Sequence, residues 1–474
     1  AALAATERAV APITAYQNPE LSYLWQWQLG RFAGAQGQTD RALAAYSAAY
    51  ASLESLRQEL AATPPDLQFG FRERVEPVYR ELVALLLREA NPSQDKLRRS
   101  RDILESLQLA ELNNFFQEAC LEANPQSIET IDPKAAVIYA TTLPDRLAVI
   151  LSLPEQPLTY HSVPLGDPRQ GQSAQQALQV VVDEMLINIF DPTYRQSLDL
   201  RYGQQLYQWL IAPFAPALQR RQIQTLVFVM DGSLRGVPLA ALHDGRRFLV
   251  EKYAIAFTPG LQLLSPRALS AESLSILIGG LENTQNHPDF DPIPEVKTEV
   301  AEISQSSATQ VLFNEDFTAG RLQAELRKTP FPVVHLATHG LFSSKSEDTF
   351  LLAWDKKINV KELDQLLRER GDLTQAPLEL LTLSACQTAT GDDQAPLGLA
   401  GVALRSGARS TVATLWRVFD ESTADLMTDF YRALRQSQVS KAEALRQSQA
   451  ALLKSERFNH PYYWAPFVLV GNWL

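Results

Sequence analysis

The chain has 474 residues, 46% of them apolar, enough for about three packed units of roughly 150 residues and too many for a disordered or fibrous chain. Lys and Arg number 43 against 54 Asp and Glu, a net charge of −11, which excludes a broad polyanion-binding surface, so neither nucleic acid nor membrane is expected as a partner. The two cysteines, Cys120 and Cys386, form no C-x-x-C and no disulfide framework, no apolar run reaches the roughly 20 residues of a bilayer span, and no signal peptide is visible, so a soluble protein of the reducing cytoplasm is expected.

Residues 1–132 read as helix. Leu, Ala, Gln, Glu and Arg dominate, and apolar residues recur at helical spacing in LSYLWQWQLGRFAGAQG, RALAAYSAAYASLESLRQEL, RVEPVYRELVALLLREA and LRRSRDILESLQLAELNNFFQEA. The breaks AGAQGQTD, ATPPD and ANPSQ carry turn chemistry between antiparallel helices. Leu29-Gly30, Ala42, Tyr46 and Ala49 match the tetratricopeptide pattern over one repeat, while Gln26, Ala33 and Glu54 depart from it. A tetratricopeptide-like unit and a plain helical bundle both remain open, and either surface serves docking.

From 133 the pattern changes. KAAVIYATTLPDRLAVILSLPEQPLTYHSVPL reads as a hairpin or meander, 172–218 as helix, and TLVFVM, LSILIGG, FPVVHLAT, LELLTLSAC, STVATLW and PFVLVG as strands separated by helical stretches. Continuous apolar strands alternating with helices predict a mostly parallel sheet flanked by helices, so the chain is read as an α/β region preceded by an all-α region. Three units follow: helical 1–132, a first α/β part 133–265 and a second part 266–474.

In such sheets the site lies beyond the carboxyl ends of the strands. The strand LELLTLSAC ends on Cys386, and PVVHLATHGLF ends its strand at His339, with VKELDQLLRER as crossover helix between them. A thiol becomes a strong nucleophile when an imidazole takes its proton, and the imidazole can return that proton to a leaving amine. The spacing of 386 − 339 = 47 residues lies near the separation of about 50 seen in caspases. Gly340, lacking a side chain, can bring its N–H to a substrate, and the N–H of Cys386 supplies a second oxyanion donor. Without further support such a cysteine packs as a small hydrophobe, which is also the reading for Cys120. His335 lies two pleats below His339 and by alternation projects to the same side; it is an alternative base or a satisfied core histidine. No zinc-ligand spacing occurs, IGGLENTQ and SLRGVPLA lack the phosphate-loop pattern, and no cofactor is expected.

VVHLATHGLF, LTLSACQTATG, ATLWRVFDEST and HPYYWAPFVLVGNW together resemble the CHAT domain, a caspase-like, separase-related cysteine-peptidase family often fused to tetratricopeptide repeats in bacteria, cyanobacteria especially. The resemblance covers about the last 300 residues and implies a caspase-like α/β fold whose first half is a non-catalytic companion. It also implies a dyad of His339 and Cys386 in a cysteine endopeptidase acting on protein substrates. SACQTA departs from the caspase motif, so a preference for substrate aspartate does not carry over. In separase-like relatives an acidic residue after the strand ending in LW holds a basic P1 side chain; the corresponding segment LWRVFDES offers Asp420, which also stands where a helix N-cap is wanted. Asp392 and Asp393 read as turn residues. The helical region would recruit a substrate, activator or regulator, and the alternative function is a catalytically silent interaction scaffold.

Overall fold

The computed structural model describes residues 19–60, 71–116, 132–167, 169, 171–190, 198–261, 268–269, 274–306, 308–343, 348–374, 378–384, 386–388, 408–418 and 420–474. Two compact units divide the chain, the first comprising 1–122, 141–150 and 157–175, the second 123–140, 151–156 and 176–474.

The first unit contains helices α1 (Pro19–Ala35), α2 (Thr39–Leu60), α3 (Glu76–Leu86) and α4 (Gln94–Phe116). The first two pack as a hairpin because Gly30 removes a side chain where the Tyr46 ring crosses: a Cβ on Gly30 would stand 2.9 Å from the ring. This contact joins two of the residues that carry the tetratricopeptide pattern. Glu81 of α3 closes the bundle, its Oε2 accepting from Trp27 Nε1 at 2.8 Å and from the Tyr46 hydroxyl at 2.7 Å. Burial, and then this bond, push the Tyr46 phenol above its usual range. Glu81→Ala is therefore expected to destabilise this unit by about 2 kcal/mol, since a half-buried indole N–H and a phenol both lose their acceptor; urea unfolding followed by tryptophan fluorescence checks it.

Three strands follow: β1 (Ala135–Leu143), β2 (Arg146–Ser152) and β3 (Thr159–Pro164). Within the first unit, Arg146 Nη2 donates to the carbonyls of Ala84 and Leu87, and Gln94 exchanges two 2.9 Å bonds with the backbone of Leu158, so the ends of α3 and α4 are tied to the hairpin region.

In the second unit the described residues of the expected helical stretch 172–218 contain α5 (Ala174–Phe190), α6 (Arg201–Leu210) and α7 (Ala215–Arg220), the last two separate helices. Pro213 and Pro216 lack the amide that a continuous helix would need and fit the starts of new turns instead. Then come β4 (Thr225–Met230), β5 (Ala254–Phe257), β6 (Ser275–Gly280), α8 (Val296–Ser306), β7 (Ala308–Phe313), α9 (Ala319–Lys328) and β8 (Val333–Ala337). The short strands β9 (Gly340–Phe342), β10 (Phe350–Leu352) and β11 (Lys357–Asn359) precede α10 (Val360–Thr374). The chain continues through β12 (Leu380–Leu383), β13 (Cys386–Thr388), β14 (Ser410–Thr414), α11 (Asp420–Leu434), α12 (Lys441–Lys454), α13 (Pro461–Trp464) and β15 (Phe467–Gly471).

The main sheet of this unit runs β1-β4-β5-β15-β14-β12-β8-β6-β7. Its strands pair in parallel except where β15 meets β14, so the carboxyl ends of β4 and β5 point to the opposite edge from those of β6, β8, β12 and β14. Buried strand residues such as Val227, Phe228, Ile276, Ile278, Val333, Leu381 and Leu469 explain the unbroken apolar runs, since helices cover both faces. The double glycine of LSILIGG is also explained by packing. A Cβ on Gly279 would collide with the ring of Phe317, which fills the space against the strand. Among the described residues no helix is long and apolar enough to cross a membrane.

Candidate active site

The expected adjacency of the two motif strands holds. β8 and β12 are parallel neighbours with Leu336 opposite Leu383, and α10 lies between them in sequence. Where the strands end differs from the sequence reading. β12 stops at Leu383 and β8 at Ala337; the two chains leave the main sheet together and pair again as β9 and β13, part of a four-stranded sheet ordered β11-β10-β9-β13. In that second ladder Cys386 lies opposite Gly340. Four steps lead from Leu336 to Gly340 but only three from Leu383 to Cys386. The extra residue on the histidine side lies between Leu336 and Gly340. His335 and His339 face the same helix, as alternation along the strand leads one to expect: His335 Nε2 stands 3.0 Å from Glu299 Oε1, and Glu299 lines the cleft with His339.

The Thr338-His339 stretch is fixed at both backbone and side chain. Thr338 Oγ1 donates to the Leu352 carbonyl at 2.6 Å, and the Leu352 N–H donates to the His339 carbonyl at 2.8 Å. The His339 ring is 9% exposed, tilts against Phe290 with centroids 5.3 Å apart, and places Nε2 2.6 Å from the carbonyl oxygen of Asp291. A carbonyl only accepts, so Nε2 carries the proton and the lone pair of the neutral ring is on Nδ1. Burial pushes the imidazole below its usual pKa; the Asp291 carbonyl opposes this, the Arg417 guanidinium adds to it, and the Asp291 carboxylate opposes it.

A cleft open to solvent brings His339 together with Glu299 of α8, Ser384 after β12, Arg417 after β14 and Thr423 of α11. Ser384 is held by its N–H to the Leu336 carbonyl at 3.2 Å; its hydroxyl is buried. His335 is fully buried and its position is accounted for by neighbours in the core. Its Nδ1 is 3.1 Å from the Tyr431 hydroxyl, which donates to Thr382 Oγ1 at 2.9 Å, and its Nε2 stands 3.0 Å from Glu299 Oε1 without the alignment of a hydrogen bond. Burial pushes the Tyr431 phenol up strongly, with the Thr382 bond opposing and Glu299 adding.

Gly340 is buried at the start of β9, and the backbone of Cys386 opens β13. Asp420 is the first residue of α11. The side chains of Cys386 and Asp420 lie outside the described residues, as do Cys120, Asp392 and Asp393. Four residues around the site were not singled out from sequence: Phe290 and Asp291, which hold His339, and Glu299 and Arg417, which line its cleft. The first two lie in HPDFDP, which reads as a proline-bounded turn and carries no side-chain pattern that marks a site. Among the described residues no group of three His, Cys, Asp or Glu could hold a metal ion.

A family model described as the CHAT domain matches residues 200–472. Tetratricopeptide repeat protein 28 of Homo sapiens is 24% identical over 321 residues, covering 56% of this chain and 13% of that protein, and its Mus musculus counterpart matches equally. The chain thus spans about an eighth of the length of the curated relatives it matches. Among solved structures, the separase of a Saccharomyces cerevisiae separase-securin complex superposes with a TM-score of 0.51 at 11% identity over 90% of this chain and 37% of that one. The Arg-specific cysteine proteinase gingipain R gives a TM-score of 0.37 at 9% identity, covering 60% and 69%. The fold is caspase-like: a helical N-terminal region followed by a mostly parallel sheet flanked by helices.

Proposed function

The chain belongs to the CHAT domain family, and from that premise we propose that it is a cysteine endopeptidase whose dyad is His339 and Cys386. The observation that supports this best is the pairing of Cys386 with Gly340 across β13 and β9. Neighbouring strands lie about 4.8 Å apart, so this pairing brings the Cys386 backbone within one strand spacing of the residue that follows His339. In the proposed reaction Nδ1 of His339 takes the proton of the Cys386 thiol, and the thiolate attacks the peptide carbonyl. The imidazolium then protonates the departing amine, leaving a thioester. Water, activated by the same imidazole, hydrolyses the thioester and regenerates the thiol. The carbonyl of Asp291 keeps the ring in the tautomer this sequence needs.

The helical unit is proposed to recruit a protein substrate, activator or regulator, a role favoured by the α1–α2 hairpin with its Gly30–Tyr46 contact and by the similarity to a protein named for tetratricopeptide repeats. The test is incubation of the full chain, alone and with candidate activators, with a proteome-derived peptide library beside its Cys386→Ala variant. Cleavage should fall by about three orders of magnitude or more in the variant. Equal cleavage by both would overturn the reading. Absence of cleavage, with Cys386 inert to an electrophilic peptide probe, would favour the silent scaffold. Cleavage after Arg or Lys that weakens in Asp420→Ala would assign Asp420 to P1 recognition; unchanged cleavage would leave it as the start of α11.

A further inference from the structure

We propose that Arg417 is the specificity-determining residue of the cleft and that it reads an acidic side chain of the bound peptide. The inference rests on the endopeptidase reading and concerns what that cleft accepts. Among the described residues lining the cleft, Glu299 and Arg417 are the charged ones, and their situations differ. Glu299 is 3% exposed and already engaged by His335 Nε2 at 3.0 Å. Arg417 has a half-exposed side chain, and its Nη1 is 3.8 Å from Asp291 Oδ2, beyond hydrogen-bond distance, with that carboxylate 83% exposed to competing water. An exposed pair at this separation contributes little, so a ligand can displace it at small cost.

The backbone beneath this side chain is rigid. The Tyr462 hydroxyl donates to the Arg417 carbonyl at 3.1 Å, the Trp416 indole donates to the Tyr462 carbonyl at 3.2 Å, and Trp416 packs edge-on against Phe190 at 5.0 Å. A fixed backbone bearing a loosely held guanidinium suits recognition of a planar carboxylate, which the guanidinium can grip through two parallel N–H···O bonds. The incoming carboxylate replaces only the side chain of Asp291, whose carbonyl stays on His339 Nε2. Because Arg417 is also the cation acting on His339, the bound carboxylate and the imidazole are electrostatically linked.

The probe is a set of fluorescein-labelled alanine octapeptides in which one Glu, Gln or Lys is walked through the sequence, titrated at low salt by fluorescence anisotropy against the full-length Cys386→Ala chain. At one position the Glu peptide should bind about tenfold more tightly than its Gln counterpart. That preference should vanish when Arg417→Gln is added, pass to the Lys peptide with Arg417→Glu, and persist in weakened form with Arg417→Lys. Equal affinities for Glu, Gln and Lys at every position, no measurable binding, or a preference untouched by substitution of Arg417 would overturn the assignment. Failure of the peptidase reading appears separately, as a library cut equally or not at all by the protein and its Cys386→Ala variant, while the binding preference stays readable.

Discussion

Replacing His339 with alanine is expected to lower kcat/KM on a peptide taken from the cleavage library by about 10³-fold, the usual worth of a positioned general acid and base. Burial holds this imidazole below its ordinary pKa, so near neutral pH it is uncharged and can accept the thiol proton through Nδ1. The rate should hold as the pH falls through 6.5 and decline only when the depressed pKa is reached, because protonation then occupies the lone pair. Arg417→Gln removes a cation that keeps the ring neutral, so its acid limb should move to higher pH. Steady-state rates between pH 5 and 8, with alkylation of Cys386 by iodoacetamide as an independent measure of the thiolate, check both statements. A His339→Ala protein within tenfold of the parent would remove His339 as the base and leave the cleft without its proposed partner for the thiol.

The second large effect concerns stability. Glu299→Ala is expected to cost about 1–3 kcal/mol, because it strips a wholly buried His335 of the polar group facing its Nε2. The loss reaches three elements at once. His335 sits on β8, Tyr431 on α11 and Thr382 on β12, and the series Glu299–His335–Tyr431–Thr382 ties α8 to all of them through buried polar groups. Adding His335→Leu to Glu299→Ala should recover much of the loss, since two apolar groups need no partner, whereas His335→Leu alone should be severe because it leaves the buried Glu299 without a polar group facing it. Urea titrations of the four proteins form the cycle. Additive losses would show that the pair is not coupled.

The alternating strand and helix pattern was readable because each central strand is buried on both faces, and the crossover by α10 between β8 and β12 followed from element length. The second sheet was not readable. β9, β10, β11 and β13 are three residues each, too short for a hydrophobic period to declare itself, and their pairing is set by the departure of two neighbouring chains from the main sheet rather than by their own residues. The same limit explains the misplaced strand end at Cys386: LTLSAC holds no Gly, Pro, Asn or Asp to mark a break, but β12 stops at Leu383 and β13 starts in the other sheet at Cys386. Phe290, Asp291, Glu299 and Arg417 escaped notice because they reach the cleft from separate segments. Asp291 acts partly through its backbone carbonyl, which leaves no side-chain pattern to read.

The antiparallel seam bears on the order in which the second unit assembles. Val470 of β15 pairs with Phe257 of β5 across 470 − 257 = 213 residues, while β14 and β15 meet across about a quarter of that distance. Loop closure grows costlier with length, and long-range pairings of this kind are slow to form. β15 should therefore zip first onto β14, completing the patch with β12, β8 and β6, and only then capture β5. On that order the strands bearing the His339 and Cys386 motifs can reach their final register before the other half of the sheet has docked. In a pulse-labelled hydrogen-exchange experiment, amides of β8 and β12 should gain protection earlier than the amide of Phe257.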